Sequence, residues 1–222
     1  MRLLTLTLSL LTLALAWGGP LPQLASHSFA AHMAMHMAVV AIAAPLLAFA
    51  IAGSVADPVR LTPRLFAPIP ASLVELVVVW IWHAPAWHQA ARHDTRLLAL
   101  EQISFLIAGV VLWIAVAGGD RERRRYREPA GVVALLLTSM HMTLLGALFA
   151  LANRPLFLHD HGSGTEAAAL ADQHLGGVIM LLAGGASYLA GALVLTARAL
   201  RDRPPALRAA ADGASVVRRI GG

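Results

Sequence analysis

Residues 29–56 read FAAHMAMHMAVVAIAAPLLAFAIAGSVA, an apolar run from Phe29 to Ala56. A helix rises about 1.5 Å per residue and the hydrocarbon core of a bilayer is about 30 Å thick, so about 20 apolar residues in a row cross it. Comparable runs recur at Ile69 to His83, Leu97 to Ala117, Ala130 to Leu151 and Leu175 to Leu200. Backbone polar groups in lipid find no water to bond, so each run is expected to be a helix. The expected fold is therefore all-α, a polytopic transmembrane helix bundle of five to six spans occupying residues 18–200. The composition, 58% hydrophobic and 13% charged with a mean hydropathy of +0.69, lies far outside the range of soluble domains and excludes one here. Pro45, inside the first of these runs, is expected to kink its helix by removing one backbone bond.

The two ends of the chain read differently. Leu3 to Leu15 follows a lone Arg2 and ends in Ala14-Leu15-Ala16, the small-residue pattern of a signal peptidase site, so residues 1–17 are either a signal peptide or a short first transmembrane helix. Residues 201–222 carry Pro204, Pro205 and scattered Ala and Gly and read as a flexible Arg-rich cytoplasmic tail. No internal repeat or separate soluble domain is present.

Every one of the 17 basic residues is arginine, for a net charge of +5, which removes lysine chemistry. Nucleic acid is not an expected partner; the lipid bilayer is. Cytoplasmic loops retain positive charge. Arg60 and Arg64 fall in one predicted inner loop, Arg121, Arg123, Arg124, Arg125 and Arg127 in the next, and Arg198, Arg201, Arg203, Arg208, Arg218 and Arg219 in or near the tail. Only Arg92, Arg96 and Arg154 fall on the other side. The expected placement is a multi-pass protein of the bacterial inner (plasma) membrane with its C-terminus in the cytoplasm.

That orientation puts the ten histidines on or near the outer side, with His141 alone near mid-membrane and none in an inner loop. The densest group is HMAMHM at residues 32–37. His32 and His36, at i and i+4, share a helix face; Met33 and Met37 form a second such pair beside them, and Met35 completes a patch with His32. Imidazole with thioether suits copper, especially Cu(I), and suits magnesium or calcium poorly. With zero cysteines, thiolate sites and disulfides are excluded. The alternative is that the methionines are lipid-facing filler and the histidines hydrogen-bond at the interface.

Further candidates lie at the same depth. Trp80, Trp82 and Trp87 belong to a membrane interface and leave His83 unexplained; it is a candidate third ligand, whereas His88, at i+5 from it, does not share its face. Glu75 and Glu101 are intramembrane carboxylates, costly enough to be functional candidates. Glu101, nearer the outer side, either ligates directly or orients an imidazole; the alternative is an acid favoured at a helix start. His141, between Met140 and Met142, is either a deeper ligand or a helix-to-helix hydrogen-bonding group. His159 and His161 flank Asp160 in a loop that could recruit metal. Asp172 suits a helix N-terminus, and His174 and Met180 follow it in the outer half. Gly177, Gly184 and Gly191 recur every seven residues, a stripe that lets a neighbouring helix come close. HExxH, GxSxG, Walker and Rossmann patterns are all absent, so an enzyme is not expected.

The ordered set HMAMHM, Ala44-Pro45-Leu46-Leu47, WHAP at 82–85, Leu100-Glu101 before Ser104-Phe105, Leu145-Gly146-Ala147 leading to Arg154-Pro155-Leu156, and DQHLGGVIM from Asp172 resembles the polytopic CtaG family of cytochrome c oxidase assembly factors over roughly residues 30 to 195. The resemblance implies a membrane protein that helps assemble haem–copper oxidase by supplying copper, with an oxidase subunit as client and a periplasmic copper donor as a further partner. It carries His32, His36, His83, Glu101 and Asp172 as motif residues. Gln102 stands where the family commonly has histidine. Three rivals remain open: a haem b electron carrier with histidines paired across helices, a copper transporter, whose ligands would continue to the inner face, and a metal-free assembly scaffold.

Overall fold

The computed structural model describes residues 1–157 and 165–201. His159 and His161, and the tail beyond Arg201, lie outside the described residues. The helices are α1 (Arg2–Gly18), α2 (Leu21–Ala25), α3 (Phe29–Ile51), α4 (Pro58–Leu61), α5 (Pro68–His83), α6 (Pro85–His93), α7 (Thr95–Ala117), α8 (Arg121–Ala150) and α9 (Glu166–Arg201). The described residues contain no strand, so the chain is an all-helical bundle. Among the described residues four helices, α3, α7, α8 and α9, are long and apolar enough to cross a membrane. A fifth crossing results if α5 and α6, bent by 72° at their junction, are one broken span. The 17-residue apolar helix α1 packs along the second half of α3.

Ala84 holds ψ at 134°, because a residue preceding proline is pushed out of the helical region. The helix therefore stops at His83, and Pro85 starts the next one in a new direction. The run beginning at Phe29 ends at Ile51 rather than Ala56, since Gly53 takes a φ of +68° that few other residues adopt cheaply. Its N–H donates to Asp57 Oδ2 at 2.7 Å. Asp57, 1% exposed, also accepts from Val59 N at 3.0 Å and Gly119 N at 2.8 Å, tying together two loops at the end of the bundle where the arginines sit. Arg127 spans the same region, donating to the carbonyls of Phe66 and Ala115.

Through Pro45 the helix continues as one span, Phe29–Ile51, and the missing N–H is absorbed locally. Residues Ala38–Ala43 form a π-helical turn in which Ala44 N–H bonds Val39 O. The carbonyl of Ala41, which Pro45 has no N–H to satisfy, instead accepts from Ser187 Oγ at 2.9 Å. Ser9 Oγ donates to Ala43 O at 2.8 Å. A hydroxyl on α9 thus replaces the lost backbone bond, and one on α1 adds a further bond beside it. A second π-helical turn, Met180–Gly184, interrupts α9.

The glycine stripe packs helices together. A Cβ on Gly177 would stand 2.5 Å from Ala150 N and 2.7 Å from Gly146 O, both backbone atoms of α8. At Gly191 it would meet the Trp113 ring.

Candidate metal centre

The site is built on the first two turns of α3, and the start of that helix is pinned from α9. Ser28 caps it by accepting from Ala31 N at 3.1 Å. Asp172 then accepts from Ser28 Oγ at 2.7 Å, Phe29 N at 2.6 Å and Ala30 N at 3.3 Å. A carboxylate here satisfies otherwise orphaned N–H groups and complements the helix dipole. Asp172, one of the expected metal residues, thus sits at the α3 terminus. His174 donates from Nε2 to Ala152 O at 2.8 Å, holding the chain that leaves α8.

With α3 fixed, its two side-chain pairs divide as i,i+4 geometry requires. Met33 and Met37 turn toward α9: Met33 Cγ lies 3.1 Å from where a Cβ on Gly176 would stand, and Met37 Sδ 3.4 Å from the same point at Gly184. His32 and His36 face α7, ring centroids 4.3 Å apart in an edge-to-face arrangement. Glu101 comes up from α7 between them. Its Oε2 lies 3.1 Å from His32 Nε2 and its Oε1 3.5 Å from His36 Nε2. Each of His32, His36 and Glu101 offers one ligand atom, all within 4.8 Å of one another, and all three residues are buried.

Two further histidines close around this trio. His83 Nδ1–H donates to Val79 O at 2.7 Å, leaving Nε2 buried and without a hydrogen-bond partner; its ring is 5.6 Å from that of His36. His88 has a ring 4.6 Å from His32 and 6.5 Å from His83, and both its nitrogens are buried without hydrogen-bond partners. Sequence spacing alone missed His88, because i,i+5 excludes a shared face only on a continuous helix. The Pro85 break turns α6 back over the site. Phe29, Phe105, Phe149 and Phe157 wrap the imidazoles.

Buried polar atoms in native proteins are nearly always hydrogen-bonded. Here His32 Nδ1, His36 Nε2, His83 Nε2 and both nitrogens of His88 all lack such a partner. That concentration of unpartnered polar atoms among four imidazoles and a carboxylate suits a transition-metal ion. The other candidates lie apart from the trio. His141 is buried with both nitrogens unbonded but is not part of the converging group. Glu75 accepts from the Tyr188 hydroxyl deep in the bundle. Gln102, the residue beside Glu101, donates from Nε2 to His36 Nδ1 at 2.8 Å and accepts from Trp17 Nε1 at 3.3 Å.

Fold and site together define a polytopic helical membrane protein that encloses a buried histidine–carboxylate cluster near one end of its bundle. Residues 1–202 match the profile of the cytochrome c oxidase caa3 assembly factors (Caa3_CtaG), and the chain belongs to that family. Its match includes α1, which lies before the motifs carrying the resemblance. Among curated proteins and among solved structures nothing matches.

Proposed function

We propose that this cytochrome c oxidase assembly factor takes up copper, as Cu(I), at the outer face of the membrane and hands it to an oxidase subunit. The reading rests on one observation: His32, His36 and Glu101 place ligand atoms within 4.8 Å of one another in a buried cluster with several polar atoms that have no hydrogen-bond partner. Copper is cargo here, and the chain's residues have separable tasks. His32, His36 and Glu101 hold the ion. His83, with Nδ1–H already committed to Val79 O, is in the tautomer and orientation a ligating imidazole needs and stands ready as an exchange ligand, with His88 beside it.

The carboxylate supplies negative charge, so the site need not hold a bare cation among neutral ligands in a medium where that is costly. With spare imidazoles around it, the ion changes ligands stepwise, first on arrival from a periplasmic copper donor and again on departure to the oxidase. Met33 and Met37 pack α3 against α9, and their thioethers beside the imidazoles are the soft groups that favour Cu(I) as ligands exchange. Nothing in this sequence of events is catalytic. The histidine end faces the exterior because the arginine-rich loops and tail are retained in the cytoplasm.

The test is His32→Ala together with His36→Ala in the full chain. The double variant is expected to insert normally, to lose stoichiometric Cu(I) in metal analysis of the purified protein, and to leave the oxidase deficient in copper. Wild-type protein that binds no Cu(I) would favour the metal-free scaffold, in which the His32–Glu101 pair only fixes helix positions. A Soret band on the purified protein would favour haem.

A further inference from the structure

At the opposite end of the bundle α3, α7, α8 and α9 enclose a cavity of about 930 Å³, at the upper end of the range for ligand sites. Its walls are apolar, with Leu46 and Phe49 from α3, Trp113 from α7 and Val194 from α9. Its mouth is charged: Arg124, Arg125 and Arg198 line it against Glu122 and Glu128, an excess of one positive charge. It opens sideways toward lipid, for Phe49 and Val194 are 44% and 52% exposed. Pro45 and its neighbours Ala41, Ile42 and Leu46 line it beside Ser187.

Its depth has a natural scale. Ser187 at the inner end and Arg198 at the mouth both line it and are eleven residues apart on the regular part of α9, about 16 Å at 1.5 Å per residue. Half of a hydrocarbon core about 30 Å thick is about 15 Å. The cavity is therefore one leaflet deep, apolar along its length and cationic where a headgroup lies. One arginine at the mouth is incompletely satisfied: Arg124 donates from a terminal nitrogen to Gly119 O at 2.9 Å, while its Nε is buried without a partner.

We infer that this cavity is a binding site for one anionic phospholipid of the leaflet at the arginine end, its acyl chain lying along α9 and its phosphate held by Arg124 and Arg198. Basic pockets between transmembrane helices on the cytoplasmic side recognise such headgroups. A zwitterionic lipid brings its own cation to a mouth that already carries excess positive charge, so the anionic class is preferred. The inference is independent of the copper reading and uses none of its residues.

The test uses the full chain in nanodiscs of phosphatidylcholine doped with phosphatidylglycerol, with retained lipid counted by native mass spectrometry. One phosphatidylglycerol is expected to be retained in preference to phosphatidylcholine. Arg198→Gln, at an exposed position, is expected to weaken that retention about fivefold, since one arginine near a headgroup is worth about 1 kcal/mol and 1.4 kcal/mol is tenfold. Ala190→Phe, on the cavity wall, is expected to abolish it with helix content by circular dichroism unchanged. Equal retention of the two lipids, an unchanged Arg198→Gln variant, or a retained isoprenoid or protein partner in place of phospholipid overturns the proposal. If Ala190→Phe fails to insert, Arg198→Gln and the lipid comparison decide it alone.

Discussion

The side-chain amide of Gln102 lies between the Trp17 indole and the His36 imidazole, and only one of its two orientations serves both. Trp17 Nε1–H can only donate, so the amide oxygen faces it and the NH₂ group faces His36 Nδ1. His36 Nδ1 is then an acceptor, and the neutral ring carries its proton on Nε2, toward Glu101. To ligate through Nε2, His36 moves that proton to Nδ1 and Gln102 turns over, giving up the bond from Trp17. A hydrogen bond of this kind is worth about 1 kcal/mol net. Trp17→Phe is therefore expected to tighten Cu(I) binding about fivefold in a chelator competition titration, and weaker or unchanged binding would count against this chain of contacts. The sequence discloses the i,i+4 pair of HMAMHM and the cost of Glu101 in lipid. It does not disclose that residue 17 reaches residue 102, because nothing local relates an indole on α1 to an amide on α7. What looked like a missing histidine at position 102 is a side chain that sets the proton of His36.

Apolar runs of the right length made the long helices legible, and the seven-residue glycine stripe kept the meaning expected of it. The places where reading from sequence stopped short are breaks inside runs. Treating Trp80 to His88 as one helix end put His83 and His88 on different faces; the 72° turn between α5 and α6 brings both to the site. The tryptophans masked this, since an interfacial belt explains them without any change of direction. The two π-helical turns have no signature beyond the nearby proline and glycines. Close helix approach, by contrast, yields a sharp expectation. At Gly177 an added side chain meets backbone rather than flexible atoms, so α8 and α9 must separate, and overpacking of this sort costs about 1–3 kcal/mol. Gly177→Val is expected to lower the thermal midpoint in detergent by several degrees. Gly18→Ala, where nothing stands within 4 Å of the new Cβ, provides the control that does not lower it.

The bundle is polarised by chemistry. At one end four buried imidazoles and Glu101 gather beneath α6; at the other, Asp57 and Arg127 knit the loops and Arg124, Arg125 and Arg198 ring a lipid-sized cavity. The sequence showed this division as a count of arginines and histidines per loop, and the bundle converts the count into two separated environments because α3 and α7 run from the cluster, at His32, His36 and Glu101, to the cavity, at Phe49 and Trp113. The retention of positive loops predicts that the arginine end stays in the cytoplasm, and the copper reading requires the histidine end to meet the exterior compartment. The absence of cysteine permits a clean test. Val55 at the arginine end is fully exposed, and Ala86, at the start of α6, is exposed at the histidine end; either is replaced by cysteine without touching the cluster. With a membrane-impermeant maleimide on intact cells, Ala86→Cys is expected to label and Val55→Cys to label only after lysis. The reverse pattern places the imidazoles in the cytoplasm, where they could not load an oxidase from outside, and ends the delivery reading even if the purified protein binds copper.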